Sequence, residues 1–579
     1  MSMLAPELLD RARRFRADDP DPDTQEELDA LIALAATDER AHAELRDRFA
    51  SRLSFGTAGL RGLLGAGDNR MNQRVVAQTT AALCAELIAQ VPGAAQRGIC
   101  VAFDGRHKSR AFASEVQAIA AGAGFEVHAF EDPVPTPILA FSVLATGAAA
   151  GVMVTASHNP AAYNGYKVYW SDGAQLNTPH DTAIAKRIEQ SPGALALPRV
   201  QPAAAKAQGR WHSLGGIPQR YLTELQRRLV TSSEAAPPRV AYTAMHGVGE
   251  PMARAALQLA GVSDLTSVAE QAEPNPDFPT VSFPNPEEPG ALDRLIEQAQ
   301  QTRADLALAN DPDADRLAAA VPTPAGAIQA LTGNELGALL CDYLLAQTTA
   351  ADSFIVTTIV TTPLAERIAK AHGARAEITL TGFKWIIKRA LELQARGQHF
   401  VIGFEEALGY CIGDLVKDKD GIAAAAHTAQ MARWHAARGR TLWQALQALY
   451  VQHGLWKSRQ VSIALTDPDQ AKQLHQNLTQ LRQNPPSQIA GLTVTDVQDL
   501  QHGPNPNKLP KSDVCILQLQ NNQRIAIRPS GTEPKLKLYL DCTEPATNQE
   551  ALESANRAVE ARLDKLEQAL KTALLPNTH

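Results

Sequence analysis

Four consecutive segments, GICVAFDGR (98–106), RAFASEVQAIAAGAG (110–124), FEVHAF (125–130) and GVMVTASHNP (151–160), set the architecture. The first, third and fourth are short apolar runs that end in polar residues, as buried strands do. The second has apolar residues at helical spacing and a glycine stop. Strand alternating with helix predicts a mixed or parallel sheet covered by helices. The rhythm restarts at RVAYTAMHGVG (239–249) and ADLALANDPDADR (304–316), then at FIVTTIVTT (354–362), AEITLTGFKWI (376–386) and HFVIGFEEALGY (399–410). In each round an apolar strand delivers polar residues at its carboxyl end, where open α/β sheets bind ligands.

A chain of 579 residues exceeds one hydrophobic core. Residues 1–50 read as a helical extension of the first α/β domain. The expected domains are 51–215, 216–331 and 332–454, followed by an α+β domain at 455–579 that ends in an amphipathic helix over 547–572. Apolar content is 45% and charged content 20%, as in soluble globular proteins. The net charge of −7 argues against a nucleic-acid partner. The six cysteines (84, 100, 341, 411, 515 and 542) form no C-x-x-C pair, which points to a reduced, cytoplasmic setting. The uncharged stretch 138–156 is long enough to span a bilayer. Its small-residue middle, ATGAAAG, instead reads as the turn between a buried helix and a buried strand, so no membrane partner is expected.

Several loops carry chemistry. Ser157 lies in TASHNP, exposed after a strand by the Asn159-Pro160 break. A serine hydroxyl needs a base or a metal beside it to act as a nucleophile, and His158 is adjacent. DPDADR follows a strand directly, and Pro312 favours extended backbone before it. Alternate side chains of an extended segment share a face, so Asp311, Asp313 and Asp315 are expected to converge on a hard cation such as Mg2+. An EF-hand reading fails, because the sixth and twelfth positions from Asp311 are Arg316 and Pro322 instead of Gly and Glu. RPSGTEPK offers Arg528, Ser530, Gly531 and Thr532 as a phosphate cradle. GFEEALGY places Glu405 and Glu406 where carboxylates can accept sugar hydroxyls. Lys167 and Lys384, set in aromatic strand-like segments, are expected to be buried enough for a lowered pKa and proton transfer.

Taken together, FGTAGLRG, TASHNP with YNGYK, DPDADR, GFEEALGY and RPSGTEPK resemble, in the same order, the motifs of the α-D-phosphohexomutases, in particular their long phosphoglucomutase and phosphopentomutase-like members. The resemblance implies four domains in a heart-shaped molecule with a central cleft. Three would be α/β/α sandwiches with mixed sheets and the last α+β. It implies Ser157 as the phosphoserine and a ligand of Mg2+ with Asp311, Asp313 and Asp315. It further implies Arg61 near the transferred group, Lys167 as general acid/base, and Glu405 and Glu406 as sugar ligands. Arg528, Ser530, Gly531 and Thr532 would hold the second phosphate, and Arg316, Lys384, His246 and His158 complete the candidate site. Ala407 and Tyr410 depart from the Ser and His of phosphomannomutase-type members. The expected activity is interconversion of glucose 1-phosphate and glucose 6-phosphate through glucose 1,6-bisphosphate, by a monomer or weak dimer acting on phosphosugars alone. A phosphopentomutase, a phosphomannomutase, a sugar-bisphosphate synthase and a silent sugar-phosphate binder are the rival readings.

Overall fold

The computed structural model describes residues 5–54, 59–230, 235–464, 468–503, 505, 509–529 and 535–575. The chain divides into two compact units, Met1–Ala330 with Gly409–Gln430, and Leu331–Leu408 with Met431–His579.

The first unit opens with three helices, Pro6–Asp18, Pro22–Ala35 and Glu39–Arg48, around a small core of Phe15, Leu28, Leu45 and Phe49. Asp21 and Asp38 cap the second and third by accepting the amides of Asp23 and Ala41. Next comes a six-stranded sheet in the order Leu60–Leu63, Tyr163–Trp170, Ala150–Val154, Ile99–Phe103, Val127–Ala129, Trp211–Ser213. It is parallel except around Tyr163–Trp170, which is antiparallel to both neighbours. Its central strands ICVAF and AGVMV are buried at every position, which is why they read as continuous apolar runs. The uncharged stretch resolves into the helix Thr136–Thr146, a left-handed Gly147 stop and the strand Ala150–Val154. Among the described residues no helix is long and apolar enough to cross a membrane.

A second, five-stranded sheet runs Ile328–Ala330, Leu317–Pro322, Leu306–Asn310, Val240–Thr243, Leu265–Ser267. Its last three strands are parallel and the first two antiparallel. Both sheets of this unit are mixed.

In the second unit, Arg375–Thr379, Ser353–Thr358 and His399–Glu405 form parallel pairs. The helix Gly333–Gln347 starts at a capping box in which Thr332 and Glu335 satisfy each other's amides. The expected strand 376–386 stops at Thr379, and Phe383–Gln394 is a helix. Its buried positions, 383, 386, 387, 390 and 393, follow a helical period that outweighs the aromatic content at its start. Lys384 therefore lies in a first helical turn and not on a strand. The chain ends in a six-stranded antiparallel sheet and the helix Ala551–Leu574, which packs on Lys535–Glu544 and Leu455–Ala464 through Leu552, Val559, Leu563, Leu566 and Leu570. The fold is α/β: three mixed-sheet α/β domains and a C-terminal antiparallel domain.

Candidate active site

Two loops of the first unit meet. The strand Ala150–Val154 runs into Thr155 and Ser157, and the strand Leu306–Asn310 runs into Asp311. Ser157 is 2% exposed, and its hydroxyl donates to Asp311 Oδ2 at 2.8 Å, with His158 Nδ1 3.2 Å from the same oxygen. Ser157 has φ +52°, a left-handed conformation that is costly for a residue with a Cβ.

Asp311, Asp313 and Asp315 are 0%, 0% and 1% exposed, and each offers an oxygen within 4.8 Å of the others. They converge by a turn and not by extended alternation. Ala314 takes φ +54°, its amide bonds the Asp311 carbonyl, and the Arg316 amide donates to Asp311 Oδ1. The turn is pressed from behind by the loop 244–248. A Cβ on Gly247 would lie 2.3 Å from Pro312 Cα, and the Val248 amide bonds the Pro312 carbonyl.

Charges and hydroxyls surround the triad. Lys167 Nζ donates to Asp313 Oδ2 at 2.7 Å and to Asp315 Oδ2 at 2.9 Å, Lys419 Nζ lies 3.3 Å from Asp315, and Thr136 donates its hydroxyl to Asp313 Oδ2 at 2.5 Å. Asp313 Oδ1 and Asp315 Oδ1 are buried without a hydrogen-bond partner among the described residues. Buried carboxylate oxygens rarely stay unsatisfied, and a hard divalent cation takes oxygen ligands. The donor set fits Mg2+ on that ground.

The protonation pattern follows from these contacts. Burial, then the neighbouring charges of Asp313 and Asp315, push the Asp311 carboxyl well above its ordinary value. Burial also opposes ionisation of Asp315, but Lys167 and Lys419 outweigh it and hold its carboxyl far below the usual range. For Lys167, burial favours the neutral amine, yet Asp313 and Asp315 prevail and raise its pKa. This corrects the expectation of a lowered lysine pKa: the neighbouring carboxylates decide, not the apolar strand. Burial, then the cations Arg316 and Arg61, hold His158 neutral.

Of the remaining expected residues in this unit, Arg61 lies on the strand Leu60–Leu63 and donates to Asn159 Oδ1 at 2.9 Å. Arg316 donates to Glu287 at 2.9 Å. His246 bonds the Thr280 hydroxyl at 2.8 Å, within the loop that backs Pro312. In the second unit, Glu405 Oε1 accepts the Gly382 amide at 2.8 Å, at the start of the helix that carries Lys384. Glu406 is half-buried, its carbonyl packed against Gly333. Arg528 lies on the strand Gln523–Pro529, while Ser530, Gly531 and Thr532 lie outside the described residues. Tyr410 is fully buried, its pKa well raised by burial and then by Glu287.

Sequence models of three domains, described as phosphoglucomutase/phosphomannomutase alpha/beta/alpha domains I, II and III, match residues 52–193, 219–326 and 332–453 in order. The chain belongs to the phosphoglucomutase/phosphomannomutase family. It is 35% identical over 581 residues to a Schizosaccharomyces pombe protein named "Probable phosphoribomutase", covering 97% of each chain. It is 35% identical over 551 residues to human "Phosphopentomutase", covering 90% of each. It is 33% identical over 602 residues to human "Glucose 1,6-bisphosphate synthase", covering 96% of this chain and 94% of that one. Membership in the phosphoglucomutase/phosphomannomutase family makes the chain an isomerase of the phosphomutase class.

Three residues that bear on the candidate site were not foreseen. Lys419 sits in KDKDG, which reads as a solvated charge run. Thr136 sits in VPTP, at the entry to an apolar helix. Arg106, at the end of GICVAFDGR, reads as an ordinary strand-end residue. Only the tertiary fold brings the first two to the triad.

Proposed function

We propose that the chain is a phosphosugar mutase in which Ser157 carries the phosphoryl group. The observation that carries this reading is the Ser157 hydroxyl at 2.8 Å from Asp311, inside a buried carboxylate triad with two unsatisfied oxygens. Asp311, Asp313 and Asp315, with an oxygen on phosphorylated Ser157, would hold Mg2+, which neutralises phosphoryl oxygens as a Lewis acid.

In the forward half-reaction the P–O bond to Ser157 Oγ breaks as one forms to a sugar hydroxyl oxygen. The proton of that hydroxyl must leave, and Ser157 Oγ must gain one. Protonated Lys167 and neutral His158 are the groups assigned to this exchange, and Arg61 to charge neutralisation. The resulting sugar bisphosphate returns its other phosphoryl group to Ser157, closing the cycle. Glu405, Glu406 and Lys384 are assigned to the sugar. Arg528, Ser530, Gly531 and Thr532 are assigned to the phosphate not being transferred, and Arg316 and His246 to substrate binding more generally.

The names of the full-length relatives support pentose 1-phosphate and 5-phosphate as the first substrate pair. On that support we rank them ahead of the glucose phosphates. Glucose 1-phosphate and 6-phosphate, with glucose 1,6-bisphosphate as intermediate and activator, are the second pair. The likeness to a bisphosphate synthase supports one alternative, a net phosphotransferase that uses an external phosphoryl donor.

A coupled assay of ribose, glucose and mannose phosphates with Mg2+, with and without added sugar bisphosphate, tests the reading. The expected result is Mg2+-dependent mutase turnover, faster on ribose phosphates. Net bisphosphate formation from an external donor, without mutase turnover, would replace the mutase by the synthase.

A further inference from the structure

Ser157 stands at the head of a loop that curls around one buried guanidinium. Arg106, 5% exposed, donates from Nη2 to the carbonyls of Ser157 at 2.6 Å and Asn159 at 2.5 Å. Its Nη1 donates to the carbonyls of Pro160 at 2.9 Å and Tyr163 at 3.3 Å. Its Nε lies 3.3 Å from Asp104 Oδ2, and its guanidinium carbon sits 4.9 Å from the centre of the Phe278 ring. Asp104 in turn reaches the other side of Ser157. Its Oδ2 accepts the Thr155 hydroxyl at 2.6 Å, and Thr155 Oγ1 accepts the Ser157 amide at 2.8 Å. Ser109 and the Arg106 amide fix Asp104 Oδ1 at 2.7 Å and 3.1 Å.

One buried ion pair therefore holds both backbone polar groups of Ser157, the carbonyl directly and the amide through Thr155. That residue is also the one with φ +52°. A left-handed serine persists only where its surroundings over-determine it, and these bonds are the surroundings that do so. A planar fork with five donors can span four carbonyls, whereas an ammonium has three donors at a single point. Arg106 does not contact the Ser157 hydroxyl in this network; its reach is to the loop backbone.

We propose that Arg106, paired with Asp104, is a positioning residue for the phosphoryl-carrying serine: it fixes the left-handed turn that aims Ser157 Oγ at Asp311. The proposal rests on Ser157 as the phosphoryl carrier. Losing the clamp lets the transferred group drift relative to its acceptor, and a misplacement of about 1 Å can cost about 100-fold in rate. Substrate binding draws on other residues, so the loss falls on kcat.

The test compares wild type, Arg106→Lys, Thr155→Val and Ser157→Ala in the full-length chain. It measures kcat and KM with Mg2+, the 31P signal of the phosphoserine, and folding by circular dichroism. Arg106→Lys is expected to lower kcat by about 30- to 100-fold with KM within about threefold, and to shift or broaden the phosphoserine 31P signal. Thr155→Val, which removes both the acceptor for the Ser157 amide and the hydroxyl donor to Asp104 while leaving Arg106 in place, is expected to lower kcat by about tenfold. A folded Arg106→Lys protein with kcat within twofold of wild type, or with its loss carried by KM, overturns the proposal. Should Arg106→Lys fail to fold, Thr155→Val decides, and wild-type kcat there overturns it. Full turnover in Ser157→Ala would instead remove the phosphoserine reading, a failure distinct from that of the clamp.

Discussion

The loops at 311–316 and 405–408 both follow a buried parallel strand and both carry adjacent or alternating carboxylates, yet they occupy opposite electrostatic regimes. In the first, three carboxylates are essentially inaccessible, tied to Lys167, Lys419, Thr136 and Ser157, and split into one carboxyl that resists ionisation and two that stay charged. In the second, Glu405 and Glu406 are half-buried, and Glu405 has one oxygen anchored by the Gly382 amide. A closed, charge-balanced cluster suits the transfer of a dianionic group, where preorganised charge does most of the work. A partly open pair suits recognition of hydroxyls, where an exchangeable hydrogen bond is enough. Substitutions in the first loop should therefore act on turnover, and those in the second on substrate affinity.

The sharpest way to break this contrast is Ser157→Ala. Mutase activity should fall by about 10^4-fold or more while the fold is kept, as read by coupled assay and circular dichroism. Next comes Asp315→Asn, for which activity should fall by about 100- to 1,000-fold. Lys167 and Lys419 lose a buried counter-charge, so stability should also fall, by about 3 kcal/mol. Urea unfolding and Mn2+ titration would check both effects. Glu405→Gln keeps a carbonyl oxygen for the Gly382 amide, so its effect should appear as a KM increase of about tenfold with little change in kcat. A loss confined to kcat would erase the distinction between the loops.

Asp420 supplies the smallest and most controlled comparison: a buried carboxyl whose hydrogen-bond partners are Tyr221 and backbone amides. Burial pushes its pKa up to about 6, even though the Ala423 and Ile422 amides and the Tyr221 hydroxyl donate to it. The folded state thus holds a proton that the unfolded state has already lost between about pH 4 and pH 6. Stability must fall as pH rises through that window, by at most about 3 kcal/mol from this group. Asp420→Asn should flatten that part of the pH profile in thermal melts. Parallel profiles for wild type and variant between pH 4 and 7 would contradict the assignment.

Much of the candidate site was legible because its residues sit at strand ends, where a continuous apolar run switches to polar residues. DPDADR and TASHNP both announce themselves this way. The manner of convergence was not legible, since nothing in the sequence marks Ala314 as left-handed in place of an extended step. Lys384 was misplaced on a strand because Phe, Trp and Ile suit strands, while the helical spacing of the buried positions becomes decisive only over the whole segment 383–393. Lys419 and Thr136 could not be read, because their roles depend on contacts with Asp315, 104 residues earlier, and Asp313, 177 residues later. The raised pKa of Lys167 has the same origin: its partners lie 146 and 148 residues away, so the strand around it predicted the wrong direction.

The most direct measurement follows the phosphate on Ser157 itself. Enzyme carrying an 18O-labelled phosphate at that residue is mixed with unlabelled ribose or glucose monophosphate and Mg2+, quenched on the millisecond scale, and analysed by peptide mass spectrometry. The label is expected to leave the Ser157 peptide at least as fast as the enzyme turns over and to be recovered on the sugar, while unlabelled phosphate replaces it. Sustained mutase turnover while that peptide carries no phosphate, or keeps its labelled phosphate unexchanged, would contradict this.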